Sequence, residues 1–497
     1  MSNNIIAPLL RPAVCLIIGI MVGRFVECHE VILLVTLLAT LAAAFLLRKF
    51  QTLQSLYIQA ACMVMGCLLC LHQKSQLQVA WPSGEHSYAV IVSSEAVERG
   101  KTLSMDALLA TTGQKIQLRI MHDERSQQLH VGDGLIIHSA IKPLSAQGSY
   151  RTWLETHAYV GETFVWQSRW KRESVSLNDI GAVSRARLFF LQQRHELLSN
   201  IPTQEGQEGS SILAAMTLGD KHAVSPEQKE QFSVAGTSHL LALSGLHLGI
   251  IYMLLSLLFR SRRWQLLSQL LIIASGWSFV LLVGMPSSVV RAAVMITIYA
   301  FVSLLNRRKT PVNTLALTAI VMLVSNPYAL FDVGFQLSFA AVLSILLFVP
   351  VFSSLFTTRQ NSLFGRLTGS LLSMTYVTVA AQIGTAPLVA FYFGRFSVWF
   401  LLANYLAIPL ATLILYTMFF ALLLSFWPAV QSVLIVIPAT LASWLNQWTA
   451  WVASLPFASI DGLQPSPLQV AMVYVVIAGA YYLLHYRRQH DIKQKLS

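Results

Sequence analysis

Apolar runs long enough to cross a lipid bilayer recur along most of this chain. A membrane-spanning helix needs about 20 consecutive apolar residues. Residues 1–71 hold about three such runs, near 8–26, 31–47 and 56–71, and residues 238–486 hold about nine more. Because 55% of the residues are hydrophobic and only 11% are charged, a soluble globular protein is excluded. The sequence predicts a polytopic α-helical membrane protein of about twelve spans.

The distribution of basic residues predicts which side of the membrane each loop faces. Fifteen Lys and Arg residues fall in segments that would share one side with both chain ends, whereas the short loops of the other side hold only Arg24 and Arg395. Basic residues concentrate in cytoplasmic loops. We therefore expect both termini in the cytoplasm, with 487–497 as a basic cytoplasmic tail and residues 72–237 outside.

The net charge of +12 does not by itself indicate a nucleic-acid-binding protein. Residues 72–238 hold 16 Lys and Arg against 17 Asp and Glu, so the large polar region is close to neutral. The basic excess lies mainly in the predicted cytoplasmic loops, where membrane topology places it.

The polar region has the pattern of a small β domain followed by a helix. Its strands are predicted from short alternating runs at 88–97, 103–111, 115–121, 134–142 and 159–166. Five strands of this size favour a small closed β-barrel inserted between the membrane regions, over residues 72–183.

A connector, 184–237, leads from this domain back to the membrane. Residues 184–200 alternate Leu with Arg and Glu at helical spacing, which predicts an amphipathic helix. Such a helix can lie along the membrane surface or pack on the barrel, and the sequence leaves both alternatives open.

The cysteines favour packing over chemistry. All five lie in the first 70 residues, in or beside apolar runs, and Cys67 and Cys70 form a lone CxxC inside a span. A metal or redox role would need a second pair of ligands, so we read these thiols as small apolar side chains. No cofactor and no metal site are predicted.

The segment 236-GTSHLLALSGLHLGII-251 carries polar side chains within an apolar run. Read as one helix, it puts His239 and His247 about 80° apart, with Ser244 on the face of His247. Gly245 starts a GxxxG pattern that allows a neighbouring helix to approach closely. Polar side chains within a membrane span cost free energy, so their presence favours a functional cavity. Alternatively, each histidine could bond a neighbouring helix.

Catalysis by this segment is disfavoured. Ser244 and His247 could form a nucleophile–base pair, but 242-ALSGL-246 lacks the GxSxG elbow. No Asp or Glu follows at a spacing that marks it as the acid of a catalytic triad. A zinc site would need a third ligand, and no HExxH spacing occurs. We assign no catalytic residue.

Further polar residues lie within or beside later apolar runs. Arg291 faces water or a partner, or else its side chain reaches the nearby outer interface. The Asn-Pro pair at 326–327 ends one helix, and Asp332 is expected to cap the next by accepting backbone N–H bonds rather than to act as an acid. Gln336 and Ser338 then enter the following span.

Two more runs combine a polar residue with a proline. They pair Gln382 with Pro387 and Asn404 with Pro409. A proline removes one helical hydrogen bond, and the carbonyl that it frees must find water or another donor. We therefore expect interrupted helices around polar side chains, as in transporters and channels.

Four ordered segments of this sequence resemble the ComEC-type competence proteins. The first, 218–250, carries an LGD triplet and then a G-x-x-H-L-L-A-x-S-G-x-H core made of Gly236, His239, Leu240, Leu241, Ala242, Ser244, Gly245 and His247. The others are 286-PSSVVRA-292, 326-NPYALFDVGFQLSFAAV-342, and 382-QIGTAPL-388 leading to 403-ANYLAIPL-410. The polar region fits too, because members of this family carry an OB-like domain there.

The resemblance implies an inner-membrane channel that passes single-stranded transforming DNA into the cytoplasm. It implies that one set of residues lines or shapes the path: Gly236, His239, Ser244, Gly245, His247, Arg291, Asp332, Gln336, Ser338, Gln382 and Asn404. In the OB-like domain it implies DNA binding through Lys115, Arg119, Tyr150 and Arg151, with Tyr88 and Trp153 as further aromatic candidates.

The resemblance also implies partners. Besides single-stranded DNA and membrane lipid, we expect an extracytoplasmic DNA-binding competence protein. Because no Walker A motif occurs in the sequence, we expect a cytoplasmic ATPase or helicase to act on what would be a passive conduit.

One feature of the family is not carried over. Many members end with a metallo-β-lactamase-like domain, but no HxHxDH signature occurs here. We therefore expect a short form without nuclease activity rather than an enzyme. The alternatives are an intramembrane hydrolase acting through Ser244 and His247, and a transporter for small anions.

Overall fold

The chain forms two compact units that are each discontinuous in sequence. The computed structural model describes residues 8–176, 180–199, 208–221, 223–258, 265–304, 310–355, 363–424 and 427–496. Unit 1 comprises Met1–Glu196, Leu281–Met285 and Arg307–Asp332, and unit 2 comprises the remainder. Part of the predicted charge bias lies outside the described residues, at Arg260, Arg262, Arg263, Arg307, Arg308, Lys309 and Arg359.

Helices dominate both units. The helices up to the middle of the chain are α1 (Leu10–Gly23), α2 (Glu30–Leu46), α3 (Gln51–Leu77), α4 (Gly148–Thr156), α5 (Ala182–Ser199), α6 (Glu208–Leu218), α7 (Pro226–Val234), α8 (Ser238–Leu241) and α9 (Gly245–Leu258). They are followed by α10 (Gln265–Leu282), α11 (Ser287–Leu304), α12 (Pro311–Ser325), α13 (Val333–Leu355), α14 (Leu363–Phe393), α15 (Phe400–Leu423), α16 (Pro428–Leu434), α17 (Val436–Ala453) and α18 (Pro467–Leu496).

Glycines bring α1 and α3 of unit 1 into close contact. A Cβ atom on Gly19 would lie 1.9 Å from the carbonyl oxygen of Met63, so only glycine fits there. Cys67 and Cys70 are buried on the facing side of α3, against Gly23. These thiols therefore fill the interface between two helices, as the packing interpretation predicts.

The last helix of unit 1 returns to the first. α12 packs on α1, and the backbone N–H of Leu9 donates to Oδ1 of Asn313 at 3.3 Å. α12 ends at Ser325, directly before the Asn-Pro pair, which confirms the predicted helix end. Oδ1 of Asn326 then accepts from the N–H of Tyr328 at 3.1 Å and caps a 3₁₀ turn, Pro327–Phe331.

A mixed seven-stranded sheet occupies the polar region. Its strands are β1 (His86–Val92), β2 (Val97–Arg99), β3 (Thr102–Leu109), β4 (Lys115–Met121), β5 (Gly134–Ser139), β6 (Tyr159–Val165) and β7 (Trp170–Arg172). Their order is β6–β4–β3–β1–β5–β7, with β2 on β3. Only β4 and β6 pair in parallel, and a bridge between Lys142 and Glu162 joins β6 to the segment after β5. Each predicted run contains a strand.

The alternation of the strands explains the core of the sheet. Val90, Ile116, Leu118 and Ile137 are fully buried there. Ile91, the neighbour of Val90, points to the opposite face and is buried in a second cluster. β-Branched and long aliphatic side chains suit this half-buried, pleated surface.

The predicted amphipathic helix is α5, and it packs on the sheet. Leu188 and Leu191 are buried with Ile91 and Val131 in one cluster, and Nε2 of Gln192 donates to the carbonyl of Val131 at 3.2 Å. Of the two alternatives left open, the structure therefore supports packing on the β domain.

The sheet is tied to the helices of unit 1 through α4. Nη2 of Arg24, at the end of α1, lies 3.3 Å from Oγ1 of Thr152 and 3.9 Å from a carboxylate oxygen of Glu155. Nδ2 of Asn326 donates to the carbonyl of Thr156 at 3.0 Å. Arg24 and the end of α12 thus lie on the side of the β domain, as the charge distribution predicts, while the orientation of the termini in the cell stays a prediction.

Several helices are long and apolar enough to cross a membrane. Among the described residues six meet both criteria, in α3, α13, α14, α15, α16–α17 and α18, and seven shorter apolar helices accompany them. The structure therefore agrees with a multi-pass membrane protein, and the count of about twelve spans stays a prediction.

Two helices run through prolines without a break. α14 continues past Pro387 and α15 past Pro409, so the interruptions predicted at these residues are wrong. A proline removes one helical hydrogen bond, and the bonds on either side are enough to keep these helices continuous. The interruptions lie elsewhere, at 242–244 and at 326–332.

Candidate functional site

The 236–251 segment is interrupted rather than being one helix. α8 ends at Leu241, Ala242 is extended at φ −89° and ψ 122°, and α9 starts at Gly245. The predicted angular relation between His239 and His247 is therefore wrong. Serine and histidine side chains that bond nearby backbone groups compete with the helical ladder, and the sequence has both at this point.

Gly236 is required by the turn that precedes α8. Its φ of +77° is in the left-handed region, and a Cβ atom there would lie 2.9 Å from Cβ of Ser397 in the short strand β8 (Arg395–Ser397). Both the backbone angle and the space exclude a larger residue. Gly236 thus brings the turn against β8.

Ser244 and His247 form a defined pair at the start of α9. Nδ1 of His247 lies 3.0 Å from Oγ of Ser244 and 3.3 Å from its backbone nitrogen. Because a backbone N–H can only donate, Nδ1 is an acceptor and the proton of the neutral ring is on Nε2. His247 is 0% exposed, and its Nε2 has no hydrogen-bond partner among the described residues. The chain therefore holds a buried, unused N–H donor.

His239 is placed differently from His247. It lies on α8 and its side chain is accessible, whereas that of His247 is buried. The two histidines of the motif therefore differ in accessibility and can be tested separately.

The start of α11 is joined to the interruption. The hydroxyl of Ser288 donates a short hydrogen bond to the carbonyl oxygen of Leu243, and a Cβ atom on Gly245 would lie 3.3 Å from Cβ of Ala292. Gly245 thus lies close to α11, as the GxxxG pattern predicts. Gly249 has nothing within 4 Å of a Cβ position, so the second glycine makes no such contact.

Arg291 is buried inside unit 2. It is 1% exposed, and its guanidinium carbon lies 5.8 and 6.0 Å from the ring centres of Phe335 and Phe339 on α13. Aromatic faces stabilise a desolvated cation. The alternative in which Arg291 reaches the outer interface is therefore wrong, and the cation belongs to the interior.

The residues near the start of α13 differ in their surroundings. Oε1 of Gln336 accepts a hydrogen bond from the hydroxyl of Tyr392 on α14 at 2.7 Å. Ser338 is half-buried one turn into α13. Asp332 is the residue directly before α13, with extended angles of φ −74° and ψ 125°, which is the position of a cap.

Gln382 and Asn404 are not part of this group. Gln382 is half-buried in the middle of α14, and Asn404 is buried on α15. α15 packs on α17, where Nε1 of Trp448 donates to the carbonyl of Ala403 at 3.0 Å. Among the described residues no hydrogen bond joins either side chain to Ser244 or His247.

A second polar cluster surrounds Arg395. It pairs with Glu230 at 2.6 Å and with Asp461, and Nη1 donates to Oγ of Ser233 at 3.0 Å. The hydrogen bond from Arg395 holds the pKa of Asp461 below its usual range. The sequence analysis missed this cluster, although Arg395 stood out as one of two basic residues in the short outer loops.

The cations proposed for DNA binding in the β domain all face carboxylates. Nζ of Lys115 lies 2.8 Å from Asp106, Arg119 is 3.8 Å from Glu162, and Arg151 is 2.9 Å from Glu155. Lys115 also lies over the ring of Tyr159, and burial lowers its pKa. Lys115 is therefore engaged within the domain, while Arg119 and Arg151 are more exposed.

The aromatic candidates divide into one accessible stack and one core residue. The rings of Tyr150 and Trp153 are 5.9 Å apart and nearly parallel, and the two residues are 40% and 43% exposed. Tyr88 instead packs against the core of the sheet. Of these aromatic candidates, the stack on α4 is therefore the accessible one.

No group of three or more His, Cys, Asp or Glu residues suited to a metal ion occurs among the described residues. The candidate site is thus built from neutral donors and one buried arginine.

Comparison with known proteins assigns the membrane region to a family. The Competence protein family matches residues 216–487, more than half of the chain, and this range contains the interruption, Arg291 and Gln336. The ComE operon protein 3 of Bacillus subtilis is 29% identical over 311 residues, 62% of this chain and 38% of that protein. Recombination protein 2 of Haemophilus influenzae is 25% identical over 234 residues, 45% of this chain and 29% of that protein.

The chain spans well under half the length of these relatives. No solved structure matches it. The ordered motifs and the family match agree on the same segments, and the chain belongs to the Competence protein family, of the ComEC type.

Proposed function

We propose that this protein conducts single-stranded DNA across the bacterial inner membrane during natural competence. The observation that carries the proposal is the presence of two buried donors in unit 2, the unused Nε2–H of His247 and the guanidinium of Arg291. Polar groups at such depth are costly to keep, and in membrane proteins they mark paths for polar cargo.

The chemistry of these groups suits a polyanion. A strand that moves must be attracted enough to enter and held weakly enough to leave. A neutral imidazole N–H and the amide of Gln336 bind a phosphate oxygen without a full charge, and Arg291 supplies one cation over Phe335 and Phe339. One cation among neutral donors favours passage over retention of the strand.

The β domain would receive the strand outside. Its strand order is β6–β4–β3–β1–β5, and β4 and β6 pair in parallel. The Lys142–Glu162 bridge connects β6 with the segment after β5, and such a connection between the two ends of this order supports an OB-like barrel. Such barrels bind single strands by stacking bases on aromatic side chains. Tyr150 and Trp153 are the residues for this role, with Arg151 beside them.

Transport would depend on other proteins. The sequence contains no G-x-x-x-x-G-K-[ST] motif, so a cytoplasmic ATPase or helicase would supply the driving force. A DNA-binding competence protein outside the membrane would deliver the strand. Both termini would then lie in the cytoplasm, as the basic residues indicate.

One contact favours a second function, an intramembrane hydrolase. Oγ of Ser244 is 3.0 Å from Nδ1 of His247, the distance of a nucleophile from its base. Two features oppose it: the backbone N–H of Ser244 shares the same nitrogen, and no carboxylate orients Nε2 among the described residues. Conduction is the better-supported function.

The test is DNA uptake in a deletion strain complemented with wild type, His247→Ala or His239→Ala. DNase-resistant label inside the cell is measured separately from DNA bound outside. We expect His247→Ala to lose internal label while external binding and the amount of protein in the membrane are kept. Unchanged uptake in the deletion strain would remove the conduit and leave the hydrolase or a small-anion transporter.

A further inference from the structure

A cavity of about 530 Å³ lies inside unit 1, where the β domain meets the ends of α1 and α3. Its charged lining consists of Arg24, Lys74, Arg151 and Glu155. These residues come from three different helices, so the fold brings three cations and one carboxylate to one cavity. The function proposed above uses Arg151 of this lining and gives Arg24, Lys74 and Glu155 no role.

The charges in the cavity do not cancel. The single carboxylate, Glu155, is shared between two arginines, because it lies 2.9 Å from Nε of Arg151 and 3.9 Å from Nη2 of Arg24. Lys74 has Glu27 at 3.8 Å, but that carboxylate is 90% exposed and is largely screened by water. The cavity therefore keeps an excess of positive charge and can receive an anion.

The position of the cavity indicates the source of that anion. Arg24 directly follows the last residue of α1, and Lys74 lies in the last turn of α3. Beside Arg24, Val22 and Phe25 are exposed on the chain, 38% and 85% respectively. Exposed apolar side chains next to paired basic residues are the arrangement found where a helix leaves the hydrocarbon layer.

The uncharged part of the lining is also suited to lipid. Leu77, Val79, Leu144 and Val160 line the same cavity as the cations. A phosphate group needs the cations, while a glycerol backbone and the start of an acyl chain need apolar walls. A nucleic-acid phosphate would have no use for these walls, since its neighbours are sugar and base.

We infer that this cavity binds the headgroup of an anionic phospholipid, with its phosphate between Lys74, Arg151 and Arg24. Bound there, the lipid would join the β domain to the membrane boundary at α1 and α3. It acts as a structural ligand of unit 1, independent of whether the chain conducts DNA.

The experiment uses the full chain purified in a neutral detergent. Thermal unfolding is followed while phosphatidylglycerol or phosphatidylcholine is added. The test variant is Lys74→Gln with Arg151→Gln, which leaves Arg24 in place because it contacts α4. The matched control is Arg99→Gln with Lys101→Gln, which removes the same charge from exposed positions at the β2–β3 hairpin.

We expect phosphatidylglycerol to stabilise wild type and the control at the same lipid concentration. The test variant requires a concentration at least about tenfold higher, because two charge-assisted hydrogen bonds are lost. Phosphatidylcholine, whose headgroup carries no net charge, has a much smaller effect on all three proteins.

A second measurement covers the case in which the double variant unfolds. Native mass spectrometry of each single variant counts the phosphatidylglycerol molecules that remain bound. Equal retention in wild type and both variants, or equal effects of the two lipids, overturns the proposal. So does an oligothymidylate that loses binding to Lys74→Gln alone and is not displaced by phosphatidylglycerol, because the cavity would then belong to a nucleic-acid path.

Discussion

The backbone N–H of Ser244 donates to Nδ1 of His247, and this bond decides the chemistry of the ring. It makes Nδ1 an acceptor, puts the proton on Nε2 and aims a donor into the interior of unit 2. The same contact satisfies the backbone N–H of the residue that precedes α9. The start of α9 and the tautomer of the histidine are therefore set by one bond.

Replacing Ser244 with alanine separates conduction from hydrolysis. The variant loses the hydroxyl but keeps the backbone N–H that orients His247, so a conduit loses only part of its function. We expect the initial rate of DNase-resistant uptake to fall by about two- to fivefold, in line with one lost neutral hydrogen bond. A loss of about a thousandfold or more at unchanged protein level would instead indicate a nucleophile.

Arg291 is expected to tolerate no substitution, including lysine. Arg291→Lys keeps the charge but loses the planar group that lies over Phe335 and Phe339, and arginine and lysine are not equivalent at such sites. We expect uptake below about a tenth of wild type for Arg291→Lys and Arg291→Gln, measured against membrane abundance. Arg366→Gln, at an exposed arginine of α14, serves as the control and should leave uptake unchanged. Normal uptake by Arg291→Lys would contradict a role for the guanidinium plane.

Two glycines of the competence motif are expected to respond oppositely to alanine. Gly236→Ala places a Cβ atom at a left-handed backbone angle and 2.9 Å from Ser397, which destabilises the fold by about 2 kcal/mol or more. Gly249→Ala meets nothing within 4 Å inside α9, so the change is neutral or stabilising by up to about 1 kcal/mol. Thermal unfolding of the two variants in the same detergent checks the difference, and equal melting temperatures would refute the assignment of Gly236.

The cluster around Arg395 predicts a dependence of stability on pH. The pKa of Asp461 is lowered in the folded state by its bond to Arg395. A group with a lowered folded pKa stabilises the fold above its unfolded pKa, near 4, and this stabilisation is lost as pH falls through the folded value. We expect the melting temperature of wild type to fall more steeply below about pH 4 than that of Asp461→Asn. Parallel curves would show that the contact contributes nothing.

The aromatic stack on α4 predicts where the β domain touches DNA. We expect Trp153→Ala to weaken the binding of a labelled oligothymidylate by about fivefold or more, because stacking on a base contributes about 1–3 kcal/mol. Phe189→Ala removes another exposed ring, on α5, and is the matched control. Fluorescence anisotropy with the full chain makes the comparison, and equal losses in both variants would argue against a specific stack.

Patterns with a short repeat were predictable from the sequence. The short alternating runs of the polar region located every strand of the predicted set, and the Asn-Pro pair at 326–327 located the end of α12. Leu188 and Leu191 identified α5 as amphipathic. They did not indicate what α5 packs on, because a sheet and a membrane surface offer the same apolar contact.

Features that depend on tertiary neighbours were not predictable. The interruption at 242–244 lies in an apolar run whose composition favours a helix, and only the bonds of Ser244 and Ser288 reveal it. Likewise, nothing local to Lys115 indicates that Asp106, on the neighbouring strand, lies 2.8 Å from its ammonium group. Prolines 387 and 409 misled the prediction because a long helix tolerates one missing bond.

The return of α12 to α1 also bears on how this protein is made. Unit 1 is complete only once the chain has been translated through residue 332, because the Leu9–Asn313 contact and the Asn326–Thr156 contact join its first and last segments. The chain between residues 208 and 304 must be synthesised before that closure can occur. A nascent chain arrested before residue 311 would leave the α12-facing side of α1 bare, and exposed apolar surface of this kind makes an incomplete chain prone to misassembly. The order in which the chain is made therefore constrains α12.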